Sequence, residues 1–158
     1  MSTTESAIFA AGCFWGVESA FRQVPGVLEA VSGYTGGTLP NPTYQQVCTG
    51  RTGHAEAVEV TFDPSRVSYE QLLTAFWETH DPTTLNRQGP DVGTQYRSAI
   101  FVRGDAQREA ARQSLQREQA KRQRSIVTQI VEADLFYPAE EYHQRYFEKH
   151  GGACHVPQ

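Results

Sequence analysis

Apolar residues recur along this chain in short blocks, and the blocks switch between two spacings. Runs that are continuously apolar, or that alternate with polar residues, predict strands at 8–10, 27–34, 55–62, 98–102 and 126–131. Apolar residues three and four apart, or polar stretches rich in helix formers, predict helices at 17–24, 69–77, 105–123 and 139–150. Strands that alternate with helices, sometimes two strands in a row, are typical of an α/β or α+β two-layer sandwich around a mixed sheet.

Local signals sharpen this pattern at one helix and two loops. Ser68 is a good N-cap residue, and Gln71 follows three positions later, as in a capping box. The apolar stripe that continues from there is predicted to face the core. Segment 81–94 has two prolines, two glycines and no apolar period, which predicts a long irregular loop of the kind that often carries function. Residues 39–44 are also predicted as loop.

Length and composition indicate one globular domain. The 158 residues are 39% apolar and 20% charged, which excludes a disordered or fibrous chain. The net charge of −4 gives no support to wholesale nucleic-acid binding, and the basic stretch at 108–124 lacks interleaved aromatics, so it is interpreted as a solvated helix face. No apolar run is long enough to cross a bilayer, and residues 1–6 do not resemble a secretory signal. We therefore expect a cytoplasmic protein without a nucleic-acid or membrane partner.

Cys13 follows a predicted strand and precedes a predicted helix. Backbone N–H groups and the positive end of the helix dipole stabilise a thiolate at such a position, so Cys13 is a candidate nucleophile. A buried structural cysteine fits the position equally well. Phe14 and Trp15 beside it are suited to wall a pocket for a small apolar group, although large aromatics at this spacing are more often core residues.

Glu56 lies in the strand predicted at 55–62. Alternation places it on the same face as His54 and Val58, opposite its alanine neighbours. If that face is inward, Glu56 is a buried carboxyl that stays protonated near neutral pH and can donate a proton. An exposed strand glutamate is the alternative, and the sequence alone favours that alternative.

The cysteine count points to redox or nucleophilic chemistry. Three cysteines are an odd number and too few for a secreted disulfide framework. Cys154 follows a Gly-Gly pair in a tail that can swing toward a modified Cys13 and resolve it as a disulfide, whereas an idle surface thiol is equally compatible with the sequence. Cys48 has no partner at a meaningful spacing and is interpreted as structural. The CxxC, HxxxH and HExxH spacings of zinc sites and the glycine-rich phosphate loops are missing from the sequence.

The block GCFWG at 12–16 resembles the active-site signature of the peptide methionine sulfoxide reductase A family. Further blocks resemble family motifs in the same order: GYTGG at 33–37, PNPTY at 40–44, TGHAEAV at 52–58, HDP at 80–82 and GTQYRS at 93–98. The resemblance runs from about residue 7 to residue 146. Five ordered blocks, with HDP between the last two, make it specific.

The resemblance implies both a fold and a reaction. The fold is a two-layer sandwich with a mixed sheet and a βαβ, ferredoxin-like core at 7–146, followed by an irregular, flexible tail at 147–158. The reaction is that of a peptide-methionine (S)-S-oxide reductase, which returns the S epimer of methionine sulfoxide, free or in proteins, to methionine and so repairs proteins under oxidative stress. In this family the Cys13 thiolate would attack the sulfoxide sulfur, and a protonated Glu56 would give its proton to the sulfoxide oxygen.

The resemblance assigns supporting roles to five further side chains. Tyr44 and Tyr96 match tyrosines whose hydroxyls bond the sulfoxide oxygen, a role comparable to an oxyanion hole. Phe14 and Trp15 match the hydrophobic wall that holds the methyl group on sulfur. Asp91 matches an acid that helps to organise the site.

The resemblance also implies how such an enzyme is renewed. The sulfenic acid left on Cys13 condenses with the thiol of Cys154, and thioredoxin or a similar dithiol protein reduces the resulting disulfide. No metal or bound organic cofactor is implied, and a monomer is expected. Two other interpretations use the same residues: a thiol peroxide reductase, and a non-enzymatic redox switch whose disulfide forms without catalytic turnover.

Overall fold

Six strands of the computed structural model, which describes residues 4–144, form one mixed sheet. In chain order the strands are β1 Glu5–Ala11, β2 Val27–Thr35, β3 Ala55–Phe62, the two-residue strands β4 Arg87–Gln88 and β5 Asp91–Val92, β6 Ser98–Val102, β7 Gln129–Glu132 and β8 Phe136–Pro138. The helices are α1 Phe14–Arg22, α2 Tyr44–Cys48, α3 Tyr69–Glu78 and α4 Asp105–Gln119, with single 3-10 turns at Thr94–Tyr96 and Glu141–His143. The sheet order is β7-β6-β1-β3-β2-β8, and β4 and β5 form a separate hairpin.

Two interleaved βαβ halves form the centre of the fold. The units β1-α1-β2 and β3-α3-β6 place their strands in the order β6-β1-β3-β2, which is the ferredoxin-like arrangement. Neighbours within this group are antiparallel, whereas the outer strand β7 runs parallel to β6. The predicted mixed sheet with a ferredoxin-like core is therefore confirmed.

Helices cover one face of the sheet and bury an aromatic core against it. Phe9 of β1 stacks on Phe21 of α1 with ring centroids 5.0 Å apart, and it contacts Phe76 of α3 at 5.4 Å. The opposite face carries a smaller cluster built mainly from alanines. Side chains that point toward the helices are therefore the ones enclosed between two layers.

Strand register determines the surroundings of Glu56. Phe9 pairs with Val58, and Tyr34 pairs with Glu56. Phe9, Val58 and Tyr34 all belong to the helix-side core, and Val58 lies two residues from Glu56, so Glu56 points to the same side. Only 1% of Glu56 is exposed. The exposed glutamate that the sequence favoured is wrong, because the strands on both sides of β3 present their large side chains to this face.

The predicted start of α3 is confirmed in atomic detail. Ser68 Oγ accepts the Gln71 N–H at 3.1 Å, and the Ser68 N–H donates to Gln71 Oε1 at 2.8 Å. These two bonds form the capping box expected from the sequence. The longest described helix, α4, is a polar helix of 15 residues, and within residues 4–144 we find no helix with the length and apolar character needed to cross a membrane.

The loop predicted at 39–44 ends where a short helix begins, and the loop predicted at 81–94 contains a short hairpin. Thr43 and Gln46 form a second capping box, so α2 begins at Tyr44. The long loop at 81–94 holds the β4–β5 hairpin, and the Gln88 side chain ties it together through bonds to the Asp81 backbone at 3.1 and 2.6 Å. The loop therefore has a defined conformation that its own hydrogen bonds hold in place.

Two element boundaries differ from prediction near the end of α4. This helix ends at Gln119 rather than at residue 123, and β7 begins at Gln129 rather than at residue 126. The Ile126 N–H donates to Gln119 Oε1 at 2.8 Å. Because a side chain satisfies this backbone donor, the segment before β7 does not join the sheet.

The helix predicted at 139–150 is wrong for the part that the structure describes. The Ala139 N–H donates to the Ser32 carbonyl at 2.8 Å, and the Gln144 side chain bonds the N–H and the carbonyl of Ser32 at 3.0 and 2.9 Å. These bonds tie the segment that follows β8 to β2, and its described part contains a 3-10 turn at Glu141–His143 in place of the helix. The predicted tail at 147–158 lies outside the described residues.

Candidate active site

Cys13 lies at the junction between β1 and α1. Gly12 has φ +96°, and a Cβ at this position would come 2.8 Å from the Gln88 side chain, so a glycine permits the tight turn here. Cys13 is the N-cap residue of α1, where the positive end of the helix favours a thiolate. Cys13 is disulfide-bonded in this structure, so a thiolate belongs to the reduced protein. The local fold thus gives the reduced sulfur the setting of a nucleophile.

Glu56 reaches the start of α1 from β3. Its Oε1 accepts the Phe14 N–H at 3.1 Å, while Oε2 has no hydrogen-bond partner among residues 4–144. Burial raises the pKa of Glu56 to about 8, the Phe14 N–H opposes this rise, and the charge of Asp91 adds to it. The carboxyl is therefore mostly protonated at neutral pH. Because Oε1 is already an acceptor, the proton belongs on Oε2, which can donate it to a bound molecule.

Tyr44 and Tyr96 bring two hydroxyl groups close to Glu56. Tyr44 is the first residue of α2, and Tyr96 ends the 3-10 turn at Thr94–Tyr96. Burial raises the pKa of both tyrosines, and the charge of Glu56 raises each pKa further. Both hydroxyls therefore stay protonated near neutral pH. One acid and two neutral donors suit a substrate oxygen on which negative charge develops.

Aromatic rings form a wall beside these polar groups. The ring centroid of Phe14 lies 5.7 Å from that of Tyr34 and 6.3 Å from that of Tyr44, and Trp15 lies 6.4 Å from Tyr44. Phe14 is fully buried, and Trp15 is 7% exposed. Rings in this arrangement can hold a small apolar group next to the hydroxyls.

Asp91 and Cys13 line the same depression, which has a volume of about 280 Å³. Asp91 belongs to β5 of the hairpin in the long loop. Beyond the effect of burial, its negative charge raises the pKa of Glu56 and of Tyr96. Asp91 therefore helps to keep the neighbouring acid and hydroxyl in their neutral forms.

Comparison with known proteins decides the family. A model of the family described as peptide methionine sulfoxide reductase matches residues 5–158. The peptide methionine sulfoxide reductase MsrA of Methanoculleus marisnigri is 61% identical over 150 residues, which cover 94% of this chain and 92% of that protein. This chain belongs to the peptide methionine sulfoxide reductase family. The family resemblance predicted from the sequence is confirmed, and so is the expectation that the chain is an enzyme.

Solved structures of this reductase family share the fold. The crystal structure of Mxr1 from Saccharomyces cerevisiae in reduced form matches with a TM-score of 0.91 at 37% identity, covering 96% of this chain and 89% of that one. The crystal structure of Mxr1 in complex with Trx2 matches with a TM-score of 0.66 at 26% identity, covering 90% of this chain and 84% of that one. The architecture described above is thus that of the reductase family.

Most side chains that the sequence singled out lie in one region of this reductase. They come from the start of α1, from α2, β3 and β5, and from the 3-10 turn that follows β5: Cys13, Phe14, Trp15, Tyr44, Glu56, Asp91 and Tyr96. Cys154 lies outside the described residues, so its part in renewing the reductase stays a prediction.

His143 is a residue of this site that the sequence analysis missed. Its Nδ1 accepts the Trp15 indole N–H at 3.0 Å, and its ring centroid lies 4.3 Å from that of Tyr44. Burial lowers the pKa of His143 to about 4, although the negative charge of Glu140 acts to raise it. The ring is therefore neutral, and because Nδ1 is an acceptor, the ring carries its hydrogen on Nε2. The sequence offered one signal for His143, a histidine within an aromatic segment. The wrong helix prediction at 139–150 gave that segment no place in the site, so the signal was not used.

Glu140 is the second missed residue, and it joins two tyrosines. Its Oε1 accepts the Tyr34 hydroxyl at 2.8 Å, and its Oε2 accepts the Tyr44 N–H at 3.1 Å. Burial alone would raise the pKa of Glu140, but these hydrogen bonds prevail and lower it. The carboxylate is therefore charged, and it holds the first N–H of α2 in place.

Cys48 lies closer to the site than its sequence position indicated. It ends α2 and is a free thiol. Burial raises the pKa of this thiol, and a hydrogen bond with the Tyr44 hydroxyl acts in the opposite direction. Since the net effect is a raised pKa, Cys48 is a weak nucleophile near neutral pH.

Proposed function

We propose that this chain is a peptide-methionine (S)-S-oxide reductase, which returns the S epimer of methionine sulfoxide, free or in proteins, to methionine. The observation that carries the proposal is the buried, protonated carboxyl of Glu56, which is bonded to the Phe14 N–H next to Cys13. Many reactions use a nucleophilic sulfur, but loss of a sulfoxide oxygen also needs a proton donor at that oxygen. The names of the relatives support the same substrate.

In the proposed first step, the Cys13 thiolate attacks the sulfoxide sulfur while Glu56 gives its proton to the sulfoxide oxygen. The attack forms a bond between the two sulfurs, and the substrate S–O bond breaks, so that the oxygen leaves with the Glu56 proton as hydroxide. Hydroxide then bonds to the Cys13 sulfur, the S–S bond breaks with its electron pair on the substrate sulfur, and methionine leaves a sulfenic acid on Cys13. The substrate sulfur gains two electrons, and the cysteine sulfur loses two. The hydroxyls of Tyr44 and Tyr96 donate to the oxygen as its negative charge grows.

The substrate methyl group needs an apolar surface in this scheme. Phe14 and Trp15 supply that surface, and the indole of Trp15 is oriented by its hydrogen bond to His143. Asp91 supports the acid, because its charge adds to the effect of burial on the pKa of Glu56.

Renewal of the enzyme follows as a second stage of the proposal. The Cys154 thiol condenses with the sulfenic acid on Cys13, water leaves, and a disulfide forms between the two sulfurs. Thioredoxin or a similar dithiol protein then supplies two electrons and two protons, which restores both thiols. The solved complex of the related Mxr1 with Trx2 supports a reductant of this type.

The test is a single turnover without any added reductant. Reduced protein is mixed with a peptide that contains the S epimer of methionine sulfoxide, and methionine released per enzyme is measured with a map of the disulfides. About one equivalent is expected from this mechanism, with Cys13 bonded to Cys154. Cys13→Ser should release no methionine, and release near the wild-type level from that variant would refute the assignment of Cys13 as the nucleophile.

The same assay separates the rival interpretations. Hydrogen peroxide replaces the peptide in a parallel sample. Consumption of peroxide without any release of methionine would identify a thiol peroxide reductase. A disulfide that forms under oxidant, with no turnover of either substrate in a further sample that contains thioredoxin and its reductant, would identify a redox switch.

A further inference from the structure

Gln144 follows the 3-10 turn Glu141–His143, and its side-chain amide bonds to β2 as a strand residue would. Its Oε1 accepts the Ser32 N–H at 3.0 Å, and its Nε2 donates to the carbonyls of Ser32 and Ala139 at 2.9 and 3.0 Å. β8 pairs with β2 only at residues 33–35, so the amide continues this ladder by one residue. A side-chain amide can do so because it carries the donor and the acceptor of a peptide group.

The burial of Ser32 explains why a polar side chain is needed at position 144. Ser32 is fully buried, so water cannot satisfy its backbone. In an antiparallel sheet the N–H and the carbonyl of one residue point toward the same neighbour, and both groups of Ser32 bond to segment 139–144. A buried N–H without an acceptor is destabilising. An apolar side chain in place of Gln144 would leave the Ser32 N–H in that condition.

These bonds belong to a closed circuit that begins and ends on α1. The Ser32 hydroxyl donates to Oε1 of Glu18 at 3.0 Å, and Glu18 is 1% exposed. At the other end of the circuit, His143 precedes Gln144 in the chain and accepts the Trp15 indole N–H at 3.0 Å. Trp15 and Glu18 are three positions apart, so they are neighbours on one side of α1. The circuit therefore holds His143 at a fixed place relative to this helix.

We propose that Gln144 is a positioning residue for substrate binding: its amide attaches segment 139–144 to β2, which holds His143 where it orients the Trp15 indole of the apolar wall. The backbone bonds of the turn itself run from the N–H groups of His143 and Gln144 to carbonyls within the same segment. They shape the turn but do not attach it to the sheet. The inference rests on the proposed function, since it assigns Trp15 to the surface that holds the substrate methyl group.

Hydrogen exchange of the two tryptophan side chains tests this positioning without any substrate. The chain has two tryptophans, and each indole N–H donates to a buried acceptor: Trp15 to His143 at 3.0 Å, and Trp77 to Ser114 at 2.8 Å. In NMR spectra of Gln144→Met, the Trp15 indole N–H should exchange about 2- to 12-fold faster than in the wild type, as expected when one hydrogen bond no longer opposes local opening. The Trp77 indole should keep its wild-type rate, whereas a general loss of stability would accelerate both.

A double-mutant cycle tests the effect on the substrate. Gln144→Met, His143→Phe and the double variant are compared with the wild type in the single-turnover assay, and Gln116→Met, the same change on an exposed position of α4, is the matched control. Gln144→Met should raise the substrate concentration for half-maximal rate about 2- to 12-fold. The maximal rate should change less, because Glu140 keeps its own bonds to two tyrosines. In the His143→Phe background the same substitution should have no further effect, because the side chain it acts through is gone.

The outcomes separate the inference from the function beneath it. A wild type that releases no methionine refutes the proposed function, and the inference falls with it. With an active wild type, the inference alone is refuted if Gln144→Met leaves the exchange of Trp15 unchanged or accelerates Trp77 equally. It is also refuted if the half-maximal concentration matches that of the control, or rises equally with and without His143. If Gln144→Met does not fold, Gln144→Glu replaces it, because a carboxylate still accepts the Ser32 N–H and loses only the bonds to the two carbonyls, and the same results decide.

Discussion

Replacement of Glu56 with glutamine is expected to slow sulfoxide reduction and, at the same time, to stabilise the fold. Glutamine has nearly the same shape, and its carbonyl oxygen can still accept the Phe14 N–H that now bonds Oε1. It has no proton to give to the sulfoxide oxygen. Since general acid catalysis contributes about 10²- to 10⁴-fold, the single-turnover rate should fall by that factor.

The gain in stability follows from the pKa of Glu56. Burial raises this pKa from 4.5 to about 8, which corresponds to about 5 kcal/mol in favour of the neutral form in the folded protein. Between these two pH values only the folded state holds the proton, so the wild-type free energy of unfolding decreases as the pH rises. The decrease amounts to about 3 kcal/mol by pH 7 and reaches its full value above pH 8. Glutamine does not titrate and escapes this loss.

The assay compares unfolding by urea at pH 5, 7, 8, 9 and 10 under reducing conditions. The difference in unfolding free energy between Glu56→Gln and the wild type should grow from pH 5 to pH 8 and then level off. Glu59→Gln is the control on the same strand. Its carboxylate forms a surface ion pair with Arg103 at 2.7 Å, and such a pair contributes about 0–1 kcal/mol.

Two results would refute this reasoning independently. A stability difference that stays constant between pH 5 and pH 8 would mean that Glu56 is not held protonated by the fold. A single-turnover rate equal to that of the wild type would mean that another group protonates the sulfoxide oxygen.

Further predictions concern renewal and the aromatic wall. Cys154→Ser should release about one methionine per enzyme but fail to turn over with thioredoxin, and full turnover in a coupled assay would leave Cys48 as the resolving thiol. His143→Phe removes the acceptor of the buried Trp15 N–H, so we expect the unfolding free energy to drop by about 1–3 kcal/mol and the KM for the sulfoxide to rise. His143→Gln keeps an acceptor, so its unfolding free energy and its KM should change less than those of His143→Phe. If the two variants change both quantities equally, the hydrogen bond to Trp15 has no role.

The central strands and helices could be predicted because each has a strong local signal. The alternation at 55–62 and the capping box at Ser68 depend on neighbouring residues alone, and both are confirmed. Alternation along its own strand places Glu56 on the face of Val58 and Phe62, but the strand alone does not show which of its two faces the helices cover. Pairing with β1 and β2 decides it, and that pairing joins residues far apart in the chain.

The segment after β8 could not be predicted for a related reason. Its composition suits a helix, but Ala139 and Gln144 bond to Ser32, which precedes them by more than a hundred positions. His143 takes its place in the site only through this attachment. Tertiary hydrogen bonds therefore override the local helical preference here.

The attachment of Glu140 to Tyr44 has a consequence for the order in which the enzyme matures. The two residues are 96 positions apart, and α2 has only five residues, too few to be stable without such support. A growing chain makes its N-terminal part first, so Cys13 and Glu56 exist well before Glu140 arrives. We expect the substrate-binding geometry to appear in the last stage of folding, which leaves unfinished chains with the Cys13 thiol but with a Tyr44 hydroxyl that is not yet held in place.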